Sequence, residues 1–297
     1  MKKVLVLGGV SYNLMVDVND FPEPKAQTIH SVNSFFEGIG STGAGKALTL
    51  SRLGYDVTLF ATIGSDTYGK SIKDELEENH VHLEYSINPK GTTRHVNFMK
   101  KAGERLSIFL NADPDQAPFD FNKLEVSIAE SDVIFLNIIP YCKEFIPYIV
   151  KYDKPVWVDL HDYNPESNYY DEFISVADVI QFSSENITDY KKVMLDLLDD
   201  GKEMVICTHG SLGSTTLLKD SIWIETPSFP YEVVDTNGAG DAFLVGLFHG
   251  LAEQQDVRTS LVIASVLGGL TVHSQKLFFE GLTKEYLDAE LIKRDVL

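Results

Sequence analysis

Cysteine and positive charge are scarce in this chain, and long apolar runs are missing. Its two cysteines, Cys142 and Cys207, sit in apolar context without metal-ligand spacing. That excludes a disulfide scaffold and a thiolate zinc site, and it fits buried thiols in a reducing cytoplasm. Lys and Arg number 25 against 44 Asp and Glu, a net charge of −19. Nucleic acid and anionic membrane are thereby excluded as partners, and a nucleoside triphosphate would be repelled at long range. Any nucleotide site must then be recessed and built locally from backbone dipoles, metal and a few cations. No apolar run approaches the ~18 residues of a membrane span. Met1-Lys2-Lys3 and the four apolar residues after it stop at Gly8-Gly9 with no small-residue cleavage site, so they read as a first strand rather than a signal peptide. The expectation is a soluble cytoplasmic protein, and 44% hydrophobic content over 297 residues is enough for one large core.

One stretch carries the chemistry: Val233-Val234-Asp235-Thr236-Asn237-Gly238-Ala239-Gly240-Asp241-Ala242-Phe243. It reads as a strand-like valine pair, a glycine loop and an apolar helix. Gly238, Ala239 and Gly240 carry little or no side chain, so successive N–H groups can converge on an anion at a helix N-terminus. Asp241 follows in the first helical turn, where a carboxylate can take the proton of a hydroxyl attacking a phosphoryl group. The competing readings are a first-turn acid that merely favours the helix dipole and an Asn-Gly hairpin. The hairpin fails because the residues after it do not alternate.

Asp-Thr-Asn-Gly-Ala-Gly-Asp-Ala-Phe resembles the C-terminal signature of the ribokinase-like (PfkB-type) sugar and nucleoside kinases. The resemblance implies Asp241 as base, Gly238, Ala239 and Gly240 as anion hole, and Asp235 beside a monovalent cation. It further implies an α/β fold, a ribokinase-like parallel central sheet flanked by helices, with a small inserted β-sheet as a lid that excludes water. We expect a single domain over 1–297 with lid strands from 28–37 and 93–110. Loose alternation at 28–36 and β-like runs at 94–99 and 105–110 point to that sheet, and Ala102-Gly103-Glu104-Arg105 resembles one of its turns. Homodimerisation through the lid's exposed edge follows as an expectation.

Asn13, in the turn after the first strand, stands where the family usually has a sugar-binding Asp. It is either a substrate ligand or a turn-stabilising residue. Gly38-Ile39-Gly40-Ser41-Thr42-Gly43-Ala44-Gly45-Lys46 satisfies two other patterns. As a dinucleotide fingerprint its acid would be Asp56, which opens a strand instead of closing it; as a Walker loop it lacks the Ser or Thr after Lys46. It matches the family's first signature in position, with Gly40, Ser41 and Gly45 at the substrate, although Gly45 replaces the usual Asn and leaves an empty space. Arg94 either pairs with an acidic substrate group or is a solvated strand residue.

From residue 120 onward helix-like and strand-like segments alternate, the mark of a parallel sheet covered by helices. Asp159 matches an acid the family places at a strand end. His161 and Asp162 are adjacent and point apart, a poor metal pair. Ser183, Glu185 and Asn186 lie where the family has Asn-x-x-Glu, implying altered contact with the Mg²⁺ water shell. The glycines of Thr208-His209-Gly210-Ser211-Leu212-Gly213 let backbone approach a nucleotide. Thr208, Gly210, Gly213 and Ser183 are expected at ATP, with Ser265 at the adenine. The expected function is an ATP- and Mg²⁺-dependent kinase acting on a sugar or nucleoside hydroxyl. The alternative is a catalytically weak nucleotide- or sugar-binding regulatory protein of the same fold, against which the intact Asp241 argues.

Overall fold

Runs such as Lys-Val-Leu-Val-Leu and Val-Ile-Phe-Leu-Asn have no polar face to turn to water, so they form strands covered on both sides. The computed structural model describes residues 2–32, 35–100, 104–294 and 296. Its elements begin β1 (Lys3–Leu7), β2 (Ser11–Asp17), β3 (Phe35–Gly40), α1 (Thr42–Arg52), β4 (Asp56–Ile63), α2 (Thr67–Glu78) and β5 (Val81–Ile87). There follow β6 (His95–Met99), β7 (Arg105–Phe109), α3 (Phe121–Glu130), β8 (Val133–Asn137), α4 (Ile146–Ile149), β9 (Val156–Asp159), α5 (Asp171–Val176) and β10 (Val179–Ser183). The chain continues with α6 (Tyr190–Asp199), β11 (Met204–Thr208), β12 (Ser214–Leu218), β13 (Trp223–Thr226), α7 (Ala239–Ala252), α8 (Val257–Val272) and α9 (Lys284–Ile292).

The large sheet runs β13-β12-β11-β10-β9-β8-β1-β4-β5. From β11 to β5 all neighbours are parallel, and β12 and β13 are antiparallel at one edge. Val4 and Val6 of β1 enter one core with α1, α2, α7 and α8, whereas Leu5 and Leu7 enter the other with α3, α5 and α6. The chain moves from β1 to β4 on one side and later to β8 on the other, so strand order reverses at β1. Open α/β sheets bind ligands at the C-terminal ends of their strands beside such a reversal. Both cysteines are buried and free. Among the described residues no helix is long and apolar enough to cross a membrane.

The smaller sheet runs β3-β2-β6-β7. Its β2 contains Asn13, so the sequence reading of that residue as part of a turn is corrected: Ser11–Asp17 alternates buried with half-buried residues, the pattern of a two-faced sheet. Residues 28–32 form no strand, and the lid strand of that region is β3. Ala102 and Gly103 lie outside the described residues. The Val233-Val234 pair is not a strand either. Val234 and Asp235 both donate their N–H to the Val272 carbonyl, filling an orphan acceptor at the α8 C-terminus and anchoring the loop that follows.

The helix after that loop, α7, packs closely on α8 because Gly246 presents no side chain: a Cβ there would lie 2.7 Å from the Ala264 Cα. Gly246→Val is therefore expected to push the two helices apart and destabilise the protein by about 1–3 kcal/mol. Urea denaturation measures this, and an unchanged midpoint would show that the helix pair yields freely.

Candidate active site

Helix α7 begins with no side-chain cap, and its N-cap is Gly238 in the left-handed conformation (φ 77°). Glycine is required twice over, because a Cβ at 238 would also lie 2.4 Å from the Leu277 carbonyl. First-turn N–H groups of a helix have no intrahelical acceptor, so this end offers donors and a positive dipole to an anion. Asp235 shapes the loop before it: its Oδ1 accepts from the Asn237 N–H at 2.8 Å and from Asn237 Nδ2 at 2.7 Å. The Arg105 guanidinium, reaching over from β7, donates to Asn237 Oδ1 and joins the lid to this loop.

Asp241 is 5% exposed and Lys46 1% exposed, and the two form an ion pair. The Lys46 ammonium also donates to Asn137 Oδ1 at 3.1 Å and lies 3.5 Å from Asp159 Oδ2. Asn137 is fixed by its own donation to the Leu7 carbonyl at 3.0 Å, which aims its oxygen at the lysine. Asp159 Oδ2 further accepts from Gln181 Nε2 at 3.2 Å and lies 3.3 Å from His161 Nδ1. Gln181 Nε2 reaches the Gly240 carbonyl at 3.0 Å and so ties β10 to the first turn of α7. Burial pushes the Asp241 carboxyl above the ordinary carboxylate range, with Lys46 pulling the other way. For Asp159 burial opposes ionisation, but His161 and Lys46 outweigh it and hold the carboxyl below that range. Lys46 stays above the usual lysine value because the two acids outweigh its burial.

In front of Asp241 lies a cavity of about 480 Å³. Asp235, Asn237 and Gly238 line it from one side and Asn13, Gly40 and Ser41 from the other. Of the expected substrate and anion residues the cavity thus gathers Asn13, Gly40, Ser41 and Gly238, while Gly45, Arg94, Ala239 and Gly240 do not line it. Ser41 adopts a backbone conformation proper to glycine (φ 76°, ψ 153°), which fits a position where the family usually has glycine. Asn13 Oδ1 accepts the His95 N–H at 3.1 Å, so its amide nitrogen is the end left for other contacts. The empty space expected at Gly45 is not there: a Cβ would lie 2.9 Å from Asp241 Oδ2, and glycine is what admits that carboxylate. Arg94 also departs from the substrate reading. It pairs with Glu37, donates Nε to the Tyr12 carbonyl at 3.1 Å and lies 3.7 Å from the Tyr68 ring centroid, and it does not line the cavity.

The nucleotide candidates sit on neighbouring strands. Ser183 and Thr208 are paired residues at the C-terminal ends of β10 and β11. Gly210 and Gly213 both take positive φ in the turn that follows. Glu185 and Asn186 are exposed just beyond β10. Ser265 is buried on α8, and its hydroxyl donates to the Pro227 carbonyl at 2.7 Å. Among the described residues no group of three or more His, Cys, Asp or Glu could hold a metal ion.

Several site residues escaped the sequence reading. Lys46 was set aside with the Walker pattern; the signal was a lone lysine inside the apolar face of a helix, where only paired burial is affordable. Asp113 lines the cavity, with Thr62 and Thr93 hydroxyls donating to its Oδ1 at 3.0 and 2.9 Å. Burial raises its pKa above the ordinary range. Nothing local separates it from any loop acid. His95 faces the Phe109 ring across 3.8 Å between centroids, and burial with the Arg105 charge pushes its pKa down to about 4, leaving it neutral near pH 7.

A family model described as pfkB family carbohydrate kinase matches residues 1–144 and 173–278. The chain is 26% identical over 274 residues to the acarbose 7(IV)-phosphotransferase of an Actinoplanes species, covering 89% of this chain and 90% of that one. It is 27% identical over 291 residues to the ribokinase of Bacillus subtilis, covering 92% and 94%. The solved structure of a microbiome-derived acarbose kinase superposes with a TM-score of 0.87 at 24% identity over 98% of this chain and 99% of that one, a likeness of fold.

With its contacts directed inward, Arg94→Ala is expected to lower stability by about 1 kcal/mol and to leave the ratio of activities on acidic and neutral ligands unchanged. Kinetics on matched pairs check this; a selective loss on acidic ligands would return Arg94 to the substrate site.

Proposed function

The chain belongs to the pfkB family of carbohydrate kinases, and from that premise we propose that it transfers the γ-phosphoryl group of ATP to a sugar-type hydroxyl with Asp241 as general base and the α7 N-terminus as anion hole. The observation that carries this reading is the uncapped α7 N-terminus with Asp241 in its first turn, facing a cavity whose far wall carries Asn13. The substrate oxygen attacks the γ-phosphorus and its proton passes to Asp241. The new O–P bond forms as the bond to the β,γ-bridging oxygen breaks, and that electron pair leaves with ADP. Donors at Gly238, Ala239 and Gly240 face the charge that develops. Thr208, Gly210, Gly213 and Ser183 hold the nucleotide along the edge next to Gln181. Mg²⁺ takes oxygen donors and keeps much of its water, so Glu185 and Asn186 suit contact through its water shell, where the ion neutralises phosphate charge.

On the substrate side the half-buried Asp113 supplies the carboxylate that Asn13 lacks. Asn97, Ser107 and His95 add polar contacts, while Phe36 and Phe109 offer apolar ring faces. That lining supports a sugar carrying a further ring, a glycoside or nucleoside, over a free pentose. An ATP-consumption screen over pentoses, hexoses, glycosides and nucleosides decides, and highest efficiency on free ribose would overturn the preference.

Asp241→Asn removes the proton acceptor but keeps its size and leaves Lys46 paired with Asp159. Turnover is expected to fall by about 10²–10⁴-fold with ATP affinity nearly unchanged, by steady-state kinetics and calorimetry. Turnover close to that of the unaltered protein would sink the base assignment. The lid edge strands β3 and β7 expose Phe35, Ile108 and Phe109, which supports self-association through the lid. Phe109→Lys should lower the mass measured by light scattering; a monomer before the change removes the idea.

A further inference from the structure

Resting on the reading of Asp241 as base, we infer that Lys46 is its positioning residue: the ammonium, held between Asp241 and Asp159, fixes the reacting carboxylate at the α7 N-terminus and balances the second buried acid. Among the described residues the ammonium's partners are all side-chain oxygens, from Asn137 on β8, Asp159 on β9 and Asp241 on α7. Three acceptors match its three protons. Two glycines make that reach possible. A Cβ at Gly43 would lie 2.5 Å from the Gly9 carbonyl, so α1 meets the loop after β1 directly, and Gly45 leaves room for the Asp241 carboxylate. A lysine serving only the core could be a methionine; one serving phosphate would face the anion, and this one faces acids.

The groups that act on Asp241 are Lys46 from α1, Asp159 at the end of β9 and His161 just after it. Lys46, Asp159 and Asp241 together carry two negative charges and one positive. When Asp241 takes the substrate proton, Lys46 and Asp159 remain as a neutral pair, so the ammonium keeps a counter-ion throughout. Without Lys46, two buried carboxylates sit close together, and such a pair cannot both stay ionised near neutrality. Asp241, the one already pushed upward, would hold a proton and be unable to accept another.

Two substitutions move the base in opposite directions. Lys46→Met is expected to raise the acid limb of the kcat–pH profile by about one unit or more, cutting kcat at least about tenfold near pH 6 with recovery at high pH. Asp159→Asn removes the competing negative charge and leaves the ammonium to Asp241, so its acid limb should move down. Packing damage would lower kcat at every pH and leave both limbs in place. An unmoved limb in a folded Lys46→Met protein overturns the inference; should that variant fail to fold, an unmoved or raised limb in Asp159→Asn overturns it alone. Failure here with Asp241→Asn still inactive leaves the base assignment standing, whereas an active Asp241→Asn removes the base assignment itself.

Discussion

Placing an ammonium and two carboxylates where water barely reaches constrains everything around them. Breaking a buried pair by removing one partner costs about 3–5 kcal/mol, because the survivor is left uncompensated. The structure meets this constraint with close approach. Gly8 gives way to the Asn137 amide, since a Cβ there would lie 2.5 Å from Asn137 Nδ2, and Gly43 and Gly45 bring α1 down onto the loop after β1 and onto Asp241. Asn137 accepts from Lys46 and donates to the Leu7 carbonyl, and the Gln181 amide donates to Asp159. The cluster lies beside the strand-order reversal at β1, so the point where the fold opens a crevice is also where its charges are concentrated.

That concentration explains how a strongly acidic chain can handle a nucleotide. The cations near the site are used inside the protein: Lys46 on two acids, Arg94 on Glu37 and Arg105 on Asn237. The α7 N-terminus, with no side-chain cap, is the positive end those cations leave unused, and its attraction acts over the short range of the first turn. Arg105 also makes the lid sheet and the α7 loop one connected unit, so a change in the lid's position bears on the loop that holds Gly238.

How far the sequence could be read follows from how local each feature is. The α7 signature was legible because loop, dipole and acid are consecutive residues, and α8 and β11 were legible because their apolar runs are unbroken. Strand β2 was missed because its alternation is only half apolar and its partners, β3 and β6, lie far along the chain. Val233-Val234 looked like a strand for the reverse reason: its composition is right, but its hydrogen bonds go to a helix end. Lys46, Asn137, Asp159 and Asp241 come from four separate elements and meet only when the sheet is assembled. No spacing rule could have joined them.

The same geometry ties residues 45 and 46 together. The family's usual Asn at position 45 would need the volume that the Asp241 carboxylate occupies here. Lysine at 46 in turn needs that carboxylate close, or its charge would be buried against Asp159 alone. Glycine and lysine at these two places are thus one structural solution. At this place the cavity is therefore lined by Asp241 and not by residue 45. Asp113, half-buried and oriented by the Thr62 hydroxyl on β4 and the Thr93 hydroxyl just before β6, lines the same cavity. The cavity thus draws its lining from both parts of the fold, Asp241 from α7 beside the large sheet and the Phe36 and Phe109 rings from β3 and β7 of the small one.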